Sequence, residues 1–141
     1  MKKRLFGLVL VVVLAVSLAC TGSAAWSRQI AMQVPGMNAS VNTRDDAGSP
    51  IYVTKQTTDS LCSFHSYSNT ATGAWGIDAR LINSEYVARS DWARNLHTGT
   101  TVHATTSAVK NYNYYAELSS DVLEFTTVHI SFAFSADNDT M

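Results

Sequence analysis

The chain has 141 residues with ten basic and 11 acidic side chains, so its formal net charge at neutral pH is −1. Without residues 1–25, which are treated next, seven basic and 11 acidic side chains remain and the charge is −4. This balance argues against nucleic acid and anionic membrane surfaces as partners, because both attract basic faces. The length is enough for one domain with a single modest core.

The N-terminal segment has the three parts of a secretory signal peptide. Three basic residues open it, an apolar run follows over residues 5–19, and a Ser-Ala-Ala triplet stands at positions 23–25. The apolar run is shorter than the roughly 20 residues that a membrane-spanning helix needs. We therefore predict a signal helix over residues 1–25, cleavage after Ala25, and secretion of residues 26–141.

The two cysteines bear on anchoring and on redox chemistry. Cys20 follows Leu18 and Ala19, as in the lipidation box of a lipoprotein, but Ser17 stands where that box has a large aliphatic residue. A lipid anchor on Cys20 is therefore the alternative to free secretion. Cys62 would be the only cysteine left after cleavage, so no disulfide could form within the domain. Its apolar neighbours predict a small buried side chain.

Most of the predicted domain consists of short β-prone segments separated by turn signals. The first segment alternates apolar and polar residues and ends at Pro35-Gly36, and a polar loop follows over residues 43–50. The sixth segment is irregular or strand-like. In chain order the segments are 29–34, 37–41, 51–54, 61–67, 75–82, 86–94 and 100–108.

The strongest pattern covers residues 112–134. Apolar and aromatic residues alternate with polar ones up to residue 118, Ser119-Ser120-Asp121 interrupts, and alternation resumes at residue 122. We predict a β-hairpin with one buried face. The acidic run at 137–139 lacks the glycine and the distant glutamate of a calcium loop, and we predict that it is a solvated tail. The strongest core-forming row in the chain is Val128, Ile130, Phe132 and Phe134.

Short strands at this spacing, with almost no helical signal, are typical of an antiparallel β-sandwich or a small barrel. We predict an all-β fold: an antiparallel β-sandwich of about seven or eight strands after the N-terminal signal helix. Residues 26–141 would form its single domain.

The sequence contains no motif for catalysis or for binding a metal or cofactor. The four histidines lack metal-ligand spacing, no GxSxG elbow occurs, and the carboxylates Asp78, Glu85 and Asp91 are separated. His103 and His129 fall on predicted strands, so a two-ligand site between them across a sheet is conceivable. We predict no catalytic residue, no metal site and no cofactor.

Tryptophan and tyrosine are the residue types that suggest binding. On a surface they would line a face for carbohydrate or peptide, although both types are also favoured as core and pairing residues in sheets. Trp92 lies among polar residues, and Tyr115 is opposite in phase to the apolar row. The candidate ligand-binding residues are Trp92, Tyr86 and Tyr115.

Several short segments from Trp75 onward resemble a group of small, mostly uncharacterised proteins secreted by Gram-positive bacteria. These are ARLINS at 79–84, LHTGT at 96–100, YYA at 114–116, and the ending Phe134-Ser135-Ala136-Asp137, where relatives often have proline in place of Ala136. The resemblance covers about half of the predicted domain. It implies an exported β-sandwich and brings no activity, cofactor or catalytic residue. In size and signal the chain is also similar to small exported β-sandwich bacteriocins.

Together these features predict an exported, non-catalytic protein that binds an extracellular glycan, a peptide or a surface protein. A secreted bacteriocin-like toxin is the alternative, and a hydrolase whose residues meet only in the folded chain is a third hypothesis. Nucleic acid is not an expected partner. Membrane contact is expected only through the signal segment before cleavage.

Overall fold

The computed structural model describes residues 25–141, so the predicted signal helix lies outside the described residues. The described part is all-β, and it holds no helix of the length and apolarity needed to cross a membrane. Its nine strands are β1 (Ile30–Val34), β2 (Ser40–Asn42), β3 (Val53–Thr54), β4 (Leu61–Asn69), β5 (Ile77–Ile82), β6 (Ala93–Leu96), β7 (Thr101–Thr105), β8 (Asn113–Ser120) and β9 (Val128–Ser135).

The strands form two antiparallel sheets, and the predicted all-β sandwich is confirmed. The four-stranded sheet has the order β1-β9-β4-β7, and the five-stranded sheet contains β2-β8-β5-β6. The two-residue β3 pairs with β8 at Tyr114 and Asn113, while β2 pairs with β8 further along, from Glu117 to Ser119. The structure thus has nine strands where about seven or eight were predicted.

The predicted hairpin over residues 112–134 is wrong in its pairing. β8 pairs with β5, β2 and β3, whereas β9 pairs with β1 and β4 in the other sheet. The connection over residues 121–127 therefore crosses from one sheet to the other as a loop. Alternation specifies which face of a strand is buried, but it does not specify the strand that pairs with it.

The apolar row of β9 lies in the centre of the core, as predicted. Val128, Ile130, Phe132 and Phe134 are each at most 2% exposed. The ring of Phe134 stacks near those of Phe64 and Phe132, at centroid distances of 6.4 and 6.2 Å. Since β9 has a neighbouring strand on each edge, this row is surrounded on all sides. The largest buried side chains of the five-stranded sheet are Ile77, Leu81, Ile82, Leu96 and Leu118.

The structure also settles three smaller predictions. Cys62 is a free, fully buried cysteine, as predicted, and burial raises the pKa of its thiol to about 11. Trp75 and Tyr112, which open the predicted segments 75–82 and 112–134, instead lie just outside β5 and β8 and are exposed. The segment 86–94, predicted to be irregular or strand-like, forms isolated bridges at Ala88 and Ser90, and its last two residues belong to β6.

A buried lysine ties the end of the chain to the loop that follows β3. Lys55 is fully buried, and its ammonium nitrogen lies 2.7 Å from the carbonyl oxygen of Ala136, 3.1 Å from Asp59 and 3.3 Å from Asp137. Three acceptors match the three protons of the ammonium group. Asp137 is fully buried too, so the prediction of a solvated tail is wrong at this residue, because Lys55 compensates its charge.

Further donors hold the carboxylate of Asp137. The backbone N–H groups of Gln56 and Thr57 donate to it at 3.0 and 2.9 Å, and the Thr57 hydroxyl donates at 2.7 Å. Burial acts to raise the pKa of Asp137, but these hydrogen bonds and the charge of Lys55 hold the pKa below its usual range. The carboxylate is therefore ionised at neutral pH, and the ion pair is intact there.

We expect Lys55→Ala to lower the free energy of unfolding by about 3–5 kcal/mol, because it leaves the buried carboxylate of Asp137 without its countercharge. Lys110→Ala removes an exposed lysine and is the matched control, with an expected change within about 0.5 kcal/mol. Urea unfolding of residues 26–141 measures both values. Equal stability of the two variants would show that the buried pair does not hold the fold together.

Candidate functional site

The predicted ligand-binding residues lie on or beside the outward side of the five-stranded sheet. On β8, Tyr114, Ala116 and Leu118 are buried in the core, so Tyr115 and Glu117 between them face outward. The same alternation places the intermediate positions of β5 on this side. We call this surface the outer aromatic face; its residues are Tyr52, Asp78, Arg80, Trp92, Arg94, Tyr115 and Glu117.

Trp92 is the centre of the charged half of this face. The guanidinium carbon of Arg80 lies 4.4 Å from the centroid of the indole, and that of Arg94 lies 6.0 Å away. Both distances are within the range of a cation–π interaction. Arg80 also pairs with Glu117 at 2.5 Å, and Arg94 pairs with Asp78. These contacts join β8, β5 and the start of β6, so the ring and the charges are held in fixed positions.

Two tyrosines form the other half of the face. The rings of Tyr52 and Tyr115 meet edge to face, with centroids 6.1 Å apart and an interplanar angle of 68°, a preferred geometry for aromatic pairs. Tyr52 is 51% exposed and Tyr115 is half-buried. Tyr115 and Glu117 are two residues apart on one strand, or about 7 Å between Cα atoms. The tyrosine half therefore continues directly into the charged half.

Tyr86 lies in the connection between β5 and β6 and is not one of the residues of the outer aromatic face. It occupies the turn after β5 with a φ of 62°, which is uncommon for a residue other than glycine. The guanidinium carbon of Arg44 lies 4.4 Å from its ring centroid, and the same side chain donates to the carbonyl of Ser84. A hydrogen bond with Asp45 raises the pKa of the Tyr86 hydroxyl. Of the three predicted residues, Trp92 and Tyr115 thus share the face, and Tyr86 packs against Arg44 instead.

Sequence reasoning missed the charged members of the face and Tyr52. Arg80 falls on a predicted strand at the phase opposite to the buried residues, which is the one signal that marks it as outward-facing. Its contacts with Glu117 and Trp92 depend on the order of the strands. Because the sequence did not give that order, the cluster could not be assembled beforehand.

The structure does not bring His103 and His129 together. They lie on β7 and β9, and β4 stands between these strands, so the hypothesis of a two-ligand site is wrong. Among residues 25–141, no group of three or more His, Cys, Asp and Glu side chains is placed to hold a metal ion.

One serine and one histidine do meet. Ser63 Oγ lies 2.9 Å from Nδ1 of His103, the distance that activation of a serine by a general base requires. The same hydroxyl donates to the carbonyl of Asp137 and accepts from the N–H of Asp139, each at 2.9 Å. Ser63 is also fully buried. Its hydroxyl therefore fastens the C-terminal segment to β4 and is not open to a substrate.

Three grooves on the surface have no residue of the outer aromatic face in their lining. An open groove of about 660 Å³ runs beside β1 and β9, with Gln33, Asp46 and His129 in its lining. A second groove, of about 380 Å³, includes Glu85 and Tyr112. A third groove, of about 330 Å³, includes Ser90 and Asp91, the two residues before Trp92.

A second candidate surface lies at the end of the sandwich where the connections 35–39, 70–76 and 121–127 meet. The sequence pattern predicted a strand over 122–126, but these residues form an exposed loop. We call the large exposed apolar side chains at this end the apolar tip; they are Met37 (68% exposed), Trp75 (53%), Val122 (62%), Leu123 (61%) and Phe125 (73%).

Glu124 holds the loops of the apolar tip together. It is only 3% exposed, and its carboxylate accepts hydrogen bonds from the Thr72 N–H at 2.7 Å and from the Thr126 hydroxyl at 2.8 Å. These two donors, in that order, lower the pKa of Glu124 to about 2, against the opposing effect of burial. One ionised side chain thus connects the loop 70–76 to the loop 121–127.

We expect acid to destabilise the protein partly through Glu124. Its folded-state pKa is about 2 against an ordinary value of 4.5, so its stabilising effect is present above about pH 4.5 and is lost as the pH falls towards 2. The thermal midpoint of the wild type should therefore fall more steeply across this window than that of Glu124→Gln.

Glu85→Gln removes an exposed carboxylate and should keep the wild-type pH dependence. Asp59 and Asp137, whose pKa values are also lowered, titrate in all three proteins and cancel in the comparison. An identical dependence of the thermal midpoint on pH in the wild type and in Glu124→Gln would contradict this account.

No protein-family model, curated protein or solved structure matches this chain. The function proposed next is accordingly inferred from the outer aromatic face and its geometry.

Proposed function

We propose that the chain is an exported, non-catalytic interaction module whose outer aromatic face binds an extracellular protein. The observation that carries the proposal is the composition of this face: two tyrosines, one tryptophan and two arginines on or beside one sheet. These are the residue types that dominate binding hot spots. Lysine, which is depleted in interfaces, is absent from the face.

The shape of the face favours a protein partner. Sites for small molecules are concave, and the two larger grooves are lined by other residues. A glycan chain would stack on open ring faces, but Arg80 lies over the ring of Trp92 at 4.4 Å. An exposed array of rings and guanidinium groups is better suited to a second folded surface.

The face is also preorganised. Arg80 and Arg94 are each held between Trp92 and a carboxylate, and the rings of Tyr52 and Tyr115 hold each other. Side chains that are already ordered lose little entropy when a partner binds. A small sheet with fixed aromatic side chains can therefore bind without rearrangement.

Photo-crosslinking tests the proposal. A benzophenone amino acid is placed at Tyr115, and in a control protein at Tyr112, which is 65% exposed and outside the face. Each protein is presented to intact cells of the producing organism. We expect a cross-linked surface protein with the Tyr115 probe and none with the Tyr112 probe.

Substitutions then measure the contribution of the face to binding of the captured partner. Arg94→Ala removes an exposed side chain and should leave the fold unchanged, while Trp92→Ala removes the central ring. Each should weaken binding by about 2 kcal/mol, or roughly thirtyfold. Cross-links from both probe positions, or from neither, would refute a protein partner. Binding to a glycan array that is lost in Trp92→Ala would assign the face to a glycan instead.

A further inference from the structure

We propose that two copies of the chain dimerise through β1, whose free edge pairs antiparallel with the free edge of β1 in the second copy. The pairing joins the two four-stranded sheets into one continuous sheet of eight strands. The outer aromatic face lies on or beside the other sheet, so this contact does not involve it. The proposal therefore does not depend on the function proposed for that face.

The hydrogen bonds of β9 show which backbone groups of β1 are free. The N–H and the carbonyl of His129 bond to Thr70 on the β4 side of β9, at 2.8 and 3.1 Å. Because alternate residues of a strand direct their backbone groups to opposite edges, the even-numbered residues of β9 bond to β1. Their partners on β1 are Ile30, Met32 and Val34. The N–H and carbonyl groups of Ala31 and Gln33 therefore point away from the sheet.

These four backbone groups have no hydrogen-bond partner among residues 25–141, and both residues are exposed. The groove of about 660 Å³ beside β1 includes Ala31, Met32 and Gln33 in its lining, together with Val41 of β2. Three consecutive residues of a strand cover both of its faces, so the groove follows the edge of β1. This edge is open to a further strand.

β1 lacks the features that protect edge strands from pairing. Its sequence IAMQV contains no charge and no proline, and its pairing with β9 has no bulge. On β2, the carboxylate of Asp46 accepts from the N–H of Asn42 at 2.8 Å, and the N–H of Asp46 donates to the carbonyl of Asn42 at 3.0 Å. On β7, the segment 89–91 already bonds to the carbonyl of Thr105 at 2.9 Å. An added strand therefore meets less obstruction at β1 than at either of these edges.

The free groups of β1 are complementary to themselves. A two-fold axis between the Met32 residues of the two copies places Ala31 opposite Gln33 of the second copy, and Gln33 opposite its Ala31. Two outward-facing residues that lie opposite each other in an antiparallel pair exchange both of their N–H···O bonds. Four hydrogen bonds thus satisfy all the free groups of both strands. The same patch meets itself, as a closed two-fold dimer requires.

The length of the free edge favours β1 itself over a strand from another protein. Beyond Val34 the edge ends at Pro35, which has no N–H and whose carbonyl accepts a hydrogen bond from the Ser120 hydroxyl at 2.7 Å. A longer strand would gain no hydrogen bond there. The second copy supplies a strand of the same length with the same alternation. The core-facing side chains of both strands would then lie on one face of the joined sheet; in each copy they are Ile30, Met32 and Val34.

Sedimentation and amide hydrogen exchange of residues 26–141, which hold every strand and the whole described core, test the proposal. Because the contact is small, the dimer should be reversible, with a dissociation constant in the micromolar range. As the concentration rises through this range, the amides of Ala31 and Gln33 should change from fast to slow exchange. The amides of Thr101 and His103 point outward at the edge of β7, since Thr100 bonds to β4, and should exchange fast throughout.

Gln33→Pro removes one outward N–H from each copy, and with it two of the four intermolecular hydrogen bonds. Proline is tolerated in an edge strand where the N–H faces away from the sheet. The dissociation constant of the dimer should rise about thirtyfold, because two hydrogen bonds are lost. Thr105→Pro is the matched control; it removes an outward N–H at the opposite edge of the same sheet and should dimerise like the wild type. Gln33→Lys, which places like charges in the contact, should weaken the dimer too and serves if Gln33→Pro does not fold.

The proposal is overturned if the protein stays monomeric throughout the micromolar range, or if a dimer forms while Ala31 and Gln33 still exchange fast. Equal dimerisation of the Gln33 variants and Thr105→Pro also overturns it. Slow exchange of both amides in a protein that sediments as a monomer would assign this edge to another segment of the same chain, and would overturn the dimer as well.

Discussion

The ion pair between Lys55 and Asp137 is the constraint on which the rest of the structure depends. Both side chains are fully removed from solvent, and neither could be buried without the other, because an uncompensated buried charge costs several kcal/mol. Lys55 directly follows β3, which pairs in the five-stranded sheet, and Asp137 closely follows β9 of the four-stranded sheet. The pair therefore joins the two sheets and makes the last residues of the chain part of the fold.

The Lys55–Asp137 pair closes one end of the sandwich. Two other surfaces have features that core packing does not explain. Arg80, Arg94 and Tyr115 of the outer aromatic face lie on paired strands, and its two other rings lie in the connections just before β3 and β6. The apolar tip carries its side chains on loops at the other end, which Glu124 fastens together. In both places a carboxylate, that of Glu117 on the face and that of Glu124 at the tip, accepts hydrogen bonds from its neighbours and holds them in position.

The sequence predicted the parts of the fold that depend on local alternation. The row from Val128 to Phe134 is buried because every second side chain of a strand lies on the same face. The same reasoning failed for residues 122–126, where alternation continues through an exposed loop. Asp137 was predicted to be solvated because its partner Lys55 is 82 residues away in the chain, and only the strand order brings them together.

In the candidate site, too, the sequence predicted only what local alternation determines. The outward phase of Tyr115 was visible in the sequence, and so was the polar setting of Trp92. Their neighbour Arg80 lies on β5 and Tyr52 lies just before β3. The assembly of the face therefore depends on pairings that periodicity does not encode. The apolar tip was not predicted, because alternation over residues 122–126 indicated a strand where the chain forms an exposed loop.

Amide hydrogen exchange at Gln56 and Thr57 tests the central claim most directly. Both amides lie in the loop after β3, outside the strand ladders, and donate to the buried carboxylate of Asp137. If the buried pair closes the sandwich, they exchange as slowly as the amide of Phe132 in β9, since they open only when the sheets separate. Exchange as fast as that of the exposed loop residue Gly48 would show that the ion pair is not formed and would contradict the account.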